Sequence, residues 1–474
     1  MLGLFGTLNL AARSLQTQMT GVEVTGQNLA NVNTTGYSRQ RVQISASPDL
    51  TTSIGPEGTG ADATSIQQIV SNLLNSQIQS QGSTSGYWNA QQTALQSAQN
   101  ALGEFLNGSG ATTSTSATPT DTSGSGLSTQ LSNFFSAFSA LASSGSDSNK
   151  QAAVGAAQSL ATTFNNINSQ FGSVRTALNS SLNSDVDSAN QLLSQIADLN
   201  KQISSSEFGG GSANDLRDER EQDLENLSQL TSVTTSTGTD GAVNVTIGGQ
   251  SLVAGSSVLD TLQTYDAGGG QLLVQTKSGG ANLTLTNGSM QGTIDARDGE
   301  LATMQGSVNT LANTLITQVN TIHGSGYNSA GGTGNTFFTG SDAATIGVNA
   351  ALTNNASLLQ ISSSATVSGD TSLALGISQL STATQTALNG QTFSSSYDAT
   401  VAGLGTALSD ANTQVTNQTA VTSMLSTQLG SISGVNVDEE MTNMMAFQRA
   451  YQASAQVVTT LNTMLGTVVA MKTS

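Results

Sequence analysis

Two apolar stripes, one at each end of the chain, constrain the fold more than any other feature of the sequence. Phe5, Leu8, Ala12, Leu15, Met19, Val22, Gly26 and Leu29 follow alternating spacings of three and four. That is the seam of a heptad-patterned helix. At 1.5 Å per residue it would be about 40 Å long. Asn31, Asn33 and Gly36 then punctuate it, as turn-forming residues do. Met444, Phe447, Tyr451, Ser454, Val458, Leu461, Leu465 and Val468 repeat the pattern at the other end. Asp438, Glu439 and Glu440 precede this second stripe, where negative charge suits a helix N-terminus. Two stripes of similar length are both satisfied if they pair with each other, or if each packs against a neighbouring molecule. Pattern alone weighs these two outcomes evenly.

Further helical stripes lie between them. One runs from Leu127 to Leu141, a longer one from Leu160 to Ile203, another from Leu301 to Ile322, and a last one covers roughly 400–432. The three prolines, at positions 48, 56 and 119, all precede these stripes, so no proline interrupts a helix there. Val243, Val245 and Ile247 alternate, as do Leu283 and Leu285, with Gly249 and Asn287-Gly288 as turn signals. The expected fold is mainly α, with terminal helices paired as a coiled coil, an elongated helical-bundle trunk and a small β-rich insertion. The expected domains are 1–60 with 432–474 as the terminal pair, 61–235 with 290–431 as the trunk, and 236–289 as the insertion. Residues 326–379, rich in Gly, Ser and Thr, read as loops with some strand, and the Ser/Thr tract 109–126 as an exposed linker or loop.

Composition narrows the function. Hydrophobic residues are 36% and charged residues only 9% of the chain, which suits an elongated molecule with thin cores better than a compact globule. The net charge is −18, from 30 acidic and 12 basic residues. No Lys/Arg cluster offers a phosphate-tracking stripe, so no nucleic-acid partner is expected. There is no cysteine, which rules out disulfides, thiolate nucleophiles and Cys-metal sites. The opening segment lacks the basic n-region of a cleaved secretion signal, and no apolar run reaches the 18 residues or so of a membrane span. His323 is the lone histidine; its place at the end of a stripe favours a helix C-terminal contact or simple exposure over catalysis. No lysine completes a phosphate loop. Asp215, Asp218, Glu219, Glu221, Asp223 and Glu225 are interleaved with Arg217 and Arg220, the spacing of a solvated helix face rather than a metal site. Neither catalytic nor cofactor nor metal-binding residues are expected.

More specific signals flank the terminal stripes. Gly26-Gln27-Asn28-Leu29-Ala30-Asn31-Val32-Asn33-Thr34-Thr35-Gly36-Tyr37-Ser38-Arg39-Gln40 resembles the N-terminal signature of bacterial flagellar rod, hook and hook-associated proteins. Gly434-Val435-Asn436-Val437-Asp438-Glu439-Glu440-Met441, leading into Gln448-Arg449-Ala450-Tyr451-Gln452-Ala453-Ser454-Ala455, resembles the C-terminal signature of the same group. Within the group the likeness is greatest to the hook-associated branch, on the Tyr37-Ser38-Arg39-Gln40 continuation and the form of the C-terminal signature. Asn214 to Arg220 and Gly292 to Glu300 resemble that branch's trunk.

The resemblance implies an extracellular structural protein of the flagellum, exported from the cytoplasm by the flagellar type III apparatus without a cleaved signal. It implies a homo-oligomeric ring between hook protein and a second junction protein, and a cytoplasmic chaperone on the C-terminal helix before export. A hook or distal rod subunit is the nearest alternative, and a surface adhesin a more distant one. The residues expected to carry assembly are Leu8, Leu15, Met19, Val22, Leu29, Asn31, Asn33, Gly36, Tyr37 and Arg39 at one end. At the other they are Met444, Phe447, Tyr451, Val458, Leu461, Leu465 and Val468. With so little charge on them, both segments are expected to order only on assembly.

Overall fold

The computed structural model describes residues 3–52, 55–102, 126–238, 240–367 and 369–473; the tract 109–126, apart from Gly126, lies outside them. Helix α1 (Leu4–Ala30) leads into a ribbon of strands β1 (Gln40–Ala46), β2 (Leu50–Thr52), β3 (Gly55–Glu57) and β4 (Ala61–Gln68). In it β1 pairs antiparallel with β4, from Gln40 opposite Gln68 to Ala46 opposite Ala61, and β2 pairs with β3 at the tip. Helices α2 (Asn72–Leu102), α3 (Leu127–Ser143), α4 (Asp147–Glu207) and α5 (Asn214–Leu230) follow. Strands β5 (Val233–Thr237), β6 (Val243–Ile247), β7 (Gln250–Ala254) and β8 (Ser257–Val258) then form an antiparallel meander, and β9 (Leu262–Asp266) with β10 (Leu272–Thr276) a hairpin. Helix α6 (Ser289–Asp295) passes through a π-helical turn, Ala296–Leu301, into α7 (Ala302–Gly324). The pair β11 (Phe338–Thr339) and β12 (Gly347–Val348), with short helices α8 (Ala350–Asn354) and α9 (Ser372–Gln379), precedes α10 (Phe393–Ser433) and α11 (Val437–Thr473).

Helix α4 is the spine. Its 61 residues make it roughly 90 Å long. Ser146 caps its start, accepting from the Asn149 amide at 3.3 Å, and no proline breaks it. Along one face Leu160, Phe164, Ile167, Phe171 and Leu178 enter a first hydrophobic core. Leu182, Val186, Leu193 and Ile196 continue that face into a second. Helices α3 and α7 complete the first core with the faces that their sequence stripes predict, Leu127 to Leu141 and Met304 to Val319. The two β units and α5 close the second.

The segment 326–379 contributes more than a loop covering. Phe337 and Phe338 pack edge-to-face on each other and lie against Phe134 at 6.2 and 5.7 Å between centroids; Leu352, Leu359, Ala374 and Ile377 are buried in the same core. His323 lies under this cluster, 0% exposed, which overturns the expectation of exposure. Its Nδ1 is 2.9 Å from the Asn335 carbonyl and its Nε2 accepts from the Gln360 amide at 3.1 Å. Both ring nitrogens are therefore used by the neutral imidazole, and burial pushes its pKa down to about 4.

Helix α2 crosses both α5 and α6 with unusually little between them. A Cβ on Gly86 would stand 2.0 Å from the Gln229 carbonyl oxygen, and one on Gly292 would stand 2.4 Å from that of Tyr87. Gly155 in α4 faces open space, with nothing within 4 Å. Glycine therefore does opposite things in helices of one molecule. Gly86→Ala and Gly292→Ala are expected to destabilise the trunk, because the ~1–3 kcal/mol of overpacking exceeds the ~1 kcal/mol gained in helix propensity. Gly155→Ala, with the propensity gain alone, is expected to stabilise by about 0.5–1 kcal/mol; urea unfolding of the three variants measures both signs.

The second expectation concerns acid. His323 is held neutral when folded and titrates near its ordinary 6.5 when unfolded, so its contribution is whole above that pH. It is lost as pH falls toward the folded value of about 4. The stability advantage of wild type over His323→Gln should therefore shrink between pH 7 and pH 4, by up to ~3 kcal/mol. A comparison at each pH removes the opposite slope from buried carboxylates such as Glu225.

Candidate assembly site at the joined termini

Helices α1 and α11 lie antiparallel against each other. The Phe447 ring covers Gly21 so closely that a Cβ there would be 2.6 Å from it, and the Met444 methyl reaches Gly26. Ser14 and Ser454 share a hydroxyl hydrogen bond of 2.9 Å. Along α11, Met444, Phe447, Ser454, Val458, Leu461 and Leu465 are half-buried, on the three-four pattern of the sequence stripe. Tyr451 and Val468 fall on its rim and are exposed.

The phase on α1 differs. Ala11, Thr17, Gly21, Val24, Thr25 and Asn28 are fully buried, whereas Leu8, Leu15, Val22 and Leu29 are half-buried and Met19 is 53% exposed. The cause is the β1–β4 ribbon, which packs on α1 as a second partner. Thr17 donates to the Ala61 carbonyl at 3.0 Å, and Arg13 meets Asp62 at 3.5 Å. A face between two partners wants small and hydrogen-bonding residues, which an apolar heptad count passes over.

At the end of α1 the chain turns back on itself through Asn31 to Arg39. Thr34 donates to the Asn31 side chain at 3.1 Å, Asn33 is exposed, and Gly36 takes a φ of +80° that favours glycine. The turn delivers three groups to Asn28. The Asn28 Oδ1 accepts from the Tyr37 hydroxyl at 2.9 Å and from the Gln40 amide at 2.9 Å. Its Nδ2 donates to the Gln40 carbonyl at 2.8 Å and to Glu440 Oε2 at 2.9 Å. Every donor and acceptor of this buried amide is used.

Glu440, 1% exposed, also takes Arg39 Nε at 2.7 Å, while Arg39 Nη1 meets Glu439 at 2.8 Å. The Arg39 amide donates to the Ser433 carbonyl at the end of α10, 2.8 Å away. Glu439 and Glu440 are thus more than charges at a helix start: Glu440 is the acid of a latch between the two termini. The helix start itself is capped by Asn436, whose Oδ1 accepts from the Asp438 amide at 3.0 Å.

The same turn is tied to the trunk. Ser38 donates its amide to Asp218 at 2.9 Å, and Gln68 reaches the other oxygen at 2.8 Å. Gln40 donates to Asp215 at 2.8 Å, and Gln79 donates to Glu221 at 2.8 Å. The α5 face expected to be solvated is therefore a half-buried polar joint. Burial pushes the Asp218 and Glu221 carboxyls up. Burial, and then Glu221 one turn away, push Glu225 up to about 7. Burial, with Asp215, Asp218 and Glu440 nearby, holds the Tyr37 phenol at about 12, so it remains a donor. Asn28, Gln40, Glu439 and Glu440 stand inside the quoted signatures beside the expected Asn31, Asn33, Gly36, Tyr37 and Arg39, but a buried amide or acid that joins two distant segments has no periodic signal of its own.

Residues 114–338 match the model of the flagellar hook-associated protein FlgK helical domain. Residues 430–471 match that of the flagellar basal body rod FlgEFG protein C-terminal region. The chain is 27% identical to flagellar hook-associated protein 1 of Bacillus subtilis (strain 168), over 99% of this chain and 98% of that one. Along nearly its whole length the chain is thus similar to flagellar hook-associated protein 1. The Escherichia coli (strain K12) protein of that name is 22% identical over 96% of this chain and 97% of that one. The flagellar hook junction protein FlgK from Burkholderia pseudomallei shares the fold, with a TM-score of 0.62 at 19% identity, over 77% of this chain and all of that one.

The latch makes a separable demand. Glu440→Ala removes a buried acid from Arg39 and Asn28, a loss of about 3 kcal/mol. It is expected to release amide-exchange protection of α1 and α11 while the trunk, with cores of its own, keeps its melting temperature. Loss of trunk stability alongside the terminal helices would mean that the latch is not separable.

Proposed function

We propose that this chain is a structural subunit of the bacterial flagellum, and that copies of it form the ring joining hook to filament through the free faces of their terminal helices. The observation that carries this reading is the outer face of α11. Met441, Met445, Tyr451, Val457, Met464, Val468, Val469 and Met471 all stand exposed there, joined by Phe5 and Met19 on α1. Single exposed apolar residues are ordinary, but this many spread around and along one 37-residue helix mark a surface made for covering. The latch holds the two helices in register, and the joint to α5 fixes that pair to the trunk, so these residues are presented together.

The assembly residues are then Leu8, Leu15, Val22 and Leu29 with Met444, Phe447, Val458, Leu461 and Leu465 within the pair. Met19, Tyr451 and Val468 face outward to neighbouring copies. Asn31, Asn33, Gly36, Tyr37 and Arg39 form the turn that sets their angle. The pair alone buries little, which supports ordering that is completed on assembly. Likeness to the flagellar hook-associated proteins supports a hook-protein neighbour on one side, a second junction protein on the other, a chaperone for the C-terminal helix, and export to the cell exterior. The role is structural, and His323, the one histidine of the sequence, is occupied at both nitrogens.

Deletion of the gene tests the whole reading. Cells are expected to build hooks, to lack filaments and to release flagellin into the medium. Loss of hooks would move the protein inward to the rod or hook, and normal filaments would refute the junction role.

A further inference from the structure

Behind the Tyr37–Arg39 turn lies a cavity of about 540 Å³ between the latch, α2, α5 and the end of α10. Asp218, Glu221 and Glu225 line it, as do Arg217 and Arg220. The two arginines are engaged elsewhere. Arg217 makes both its bonds to Glu207, at 2.8 and 2.7 Å, and Arg220 bonds the Asn200 side chain and the Gly241 carbonyl, at 2.8 and 2.9 Å. Asp218 and Glu221 have neutral donors, but among the described residues the Glu225 carboxylate accepts no hydrogen bond. Helix α10 also ends on this cavity with no basic residue in its last turn, so its negative pole adds to the acids. The N-terminus of α2 faces in with the opposite sign and offsets part of this.

A cluster of acids is commonly just a solvated surface, and a second observation decides against that here. Ser433, 5% exposed, lines the same cavity, and its buried Oγ has no hydrogen-bond partner. A buried hydroxyl left unpaired costs about 1–3 kcal/mol, which a donor entering the cavity would recover. The missing group is therefore a cation that donates several hydrogen bonds, and a guanidinium fits both demands.

The chain carries such a group on its surface. Arg41 is exposed, and no ion pair involves it among the described residues. It follows Gln40, whose side chain bonds Asp215 and Asn214 at the head of α5. The cavity begins one turn further along α5 and ends at Glu225, roughly 15 Å away along the axis. Side chains alternate along a strand, so with Gln40 facing α5, Arg41 faces away from it. An acidic socket and an unpaired guanidinium thus lie at two different places on one molecule, Arg41 on the ribbon opposite Gln67 and the socket reaching about 15 Å further along α5. That is the geometry of a head-to-tail contact, in which one patch meets a different patch of the next copy around a closed ring.

We propose that the cavity receives the Arg41 guanidinium of the neighbouring copy, which bonds Glu225 and the Ser433 hydroxyl and links successive chains around the ring. The proposal rests on the junction reading above and adds to it a named lateral contact, separate from the apolar faces of the terminal helices.

The absence of cysteine gives a clean test, since R41C and E225C introduce the only thiols. In flagella isolated from cells carrying R41C/E225C, a short bis-maleimide is expected to give a ladder of covalent multimers that neither single variant gives. No ladder from assembled material overturns the proposal. Charge exchange supplies a second arm on the full chain. R41E is expected to cut the fraction of filamented cells at least ~10-fold, and R41E/E225R to recover it to within ~3-fold, as expected for a desolvated charge pair at an interface. Normal filaments with R41E, or a double variant no better than the worse single one, overturns it. Filaments in the deletion strain would instead sink the junction reading itself, so the two failures are distinguishable.

Discussion

The structure depends on one saturated amide. Asn28 sits at the last turn of α1 and spends both donors and both acceptor sites on the turn that follows it and on Glu440 of α11. Aspartate or leucine at this place would leave buried partners unsatisfied, so the constraint is chemical as well as steric. Through Gln40 the amide fixes where β1 begins. Through Tyr37 it fixes the turn, and through Glu440 it fixes the axial register of the terminal helices. The ribbon, the latch and the joint to α5 all take their positions from it.

The molecule is accordingly built in two qualities of material. The trunk has two cores of fully buried aliphatic and aromatic residues threaded by α4. The terminal pair has only a half-buried seam, and its specificity comes from polar contacts at one end. Closing the latch across 401 residues in an unfolded chain would cost roughly 5 kcal/mol of loop entropy. Once the trunk is folded, α10 delivers Gly434 beside the turn, and only three residues separate it from α11. The latch is thus inexpensive after the trunk and unfavourable before it, which orders folding from trunk to termini.

What could be read in the sequence follows from how each element is stabilised. The helices of the trunk bury broad apolar stripes, so their periodicity gave their existence and the buried face of α3, α4 and α7. The C-terminal stripe was legible for the same reason. The N-terminal stripe was legible as a helix but not in phase, because α1 serves two partners and uses Thr17, Gly21 and Asn28 to do so. The β1–β4 ribbon was missed: Val42, Ile44 and Ala46 of β1 alternate with polar residues, but Ile44 and Ala46 stay exposed, and the strands owe their position to α1 and α5 rather than to an apolar face of their own. Phe337 and Phe338 were hidden in a Gly- and Thr-rich segment whose composition resembles a surface loop. The α5 acids look solvated in sequence because nothing local shows that Ser38, Gln68 and Gln79, about 140 to 180 positions away, will cover them.

A polar latch gives something that a larger hydrophobic seam would not. Apolar helices pair with many partners and slide by a turn at little cost, because one leucine replaces another in the groove. A buried Asn–Glu–Arg group tolerates no such shift, since a displacement of one turn leaves an acid and an amide unpaired in a dry site. Buried polar groups have their best-attested use in setting register, and here they set it at the inner end of a helix whose outer face stays apolar. The exposed methionines and valines of α11 supply non-specific attraction for covering, and the latch decides at what height and angle that attraction is offered. Because the latch takes one residue set from each end of the chain, a molecule missing its last 40 residues or so keeps its trunk. It presents no aligned apolar face, and so has nothing with which to enter an assembly.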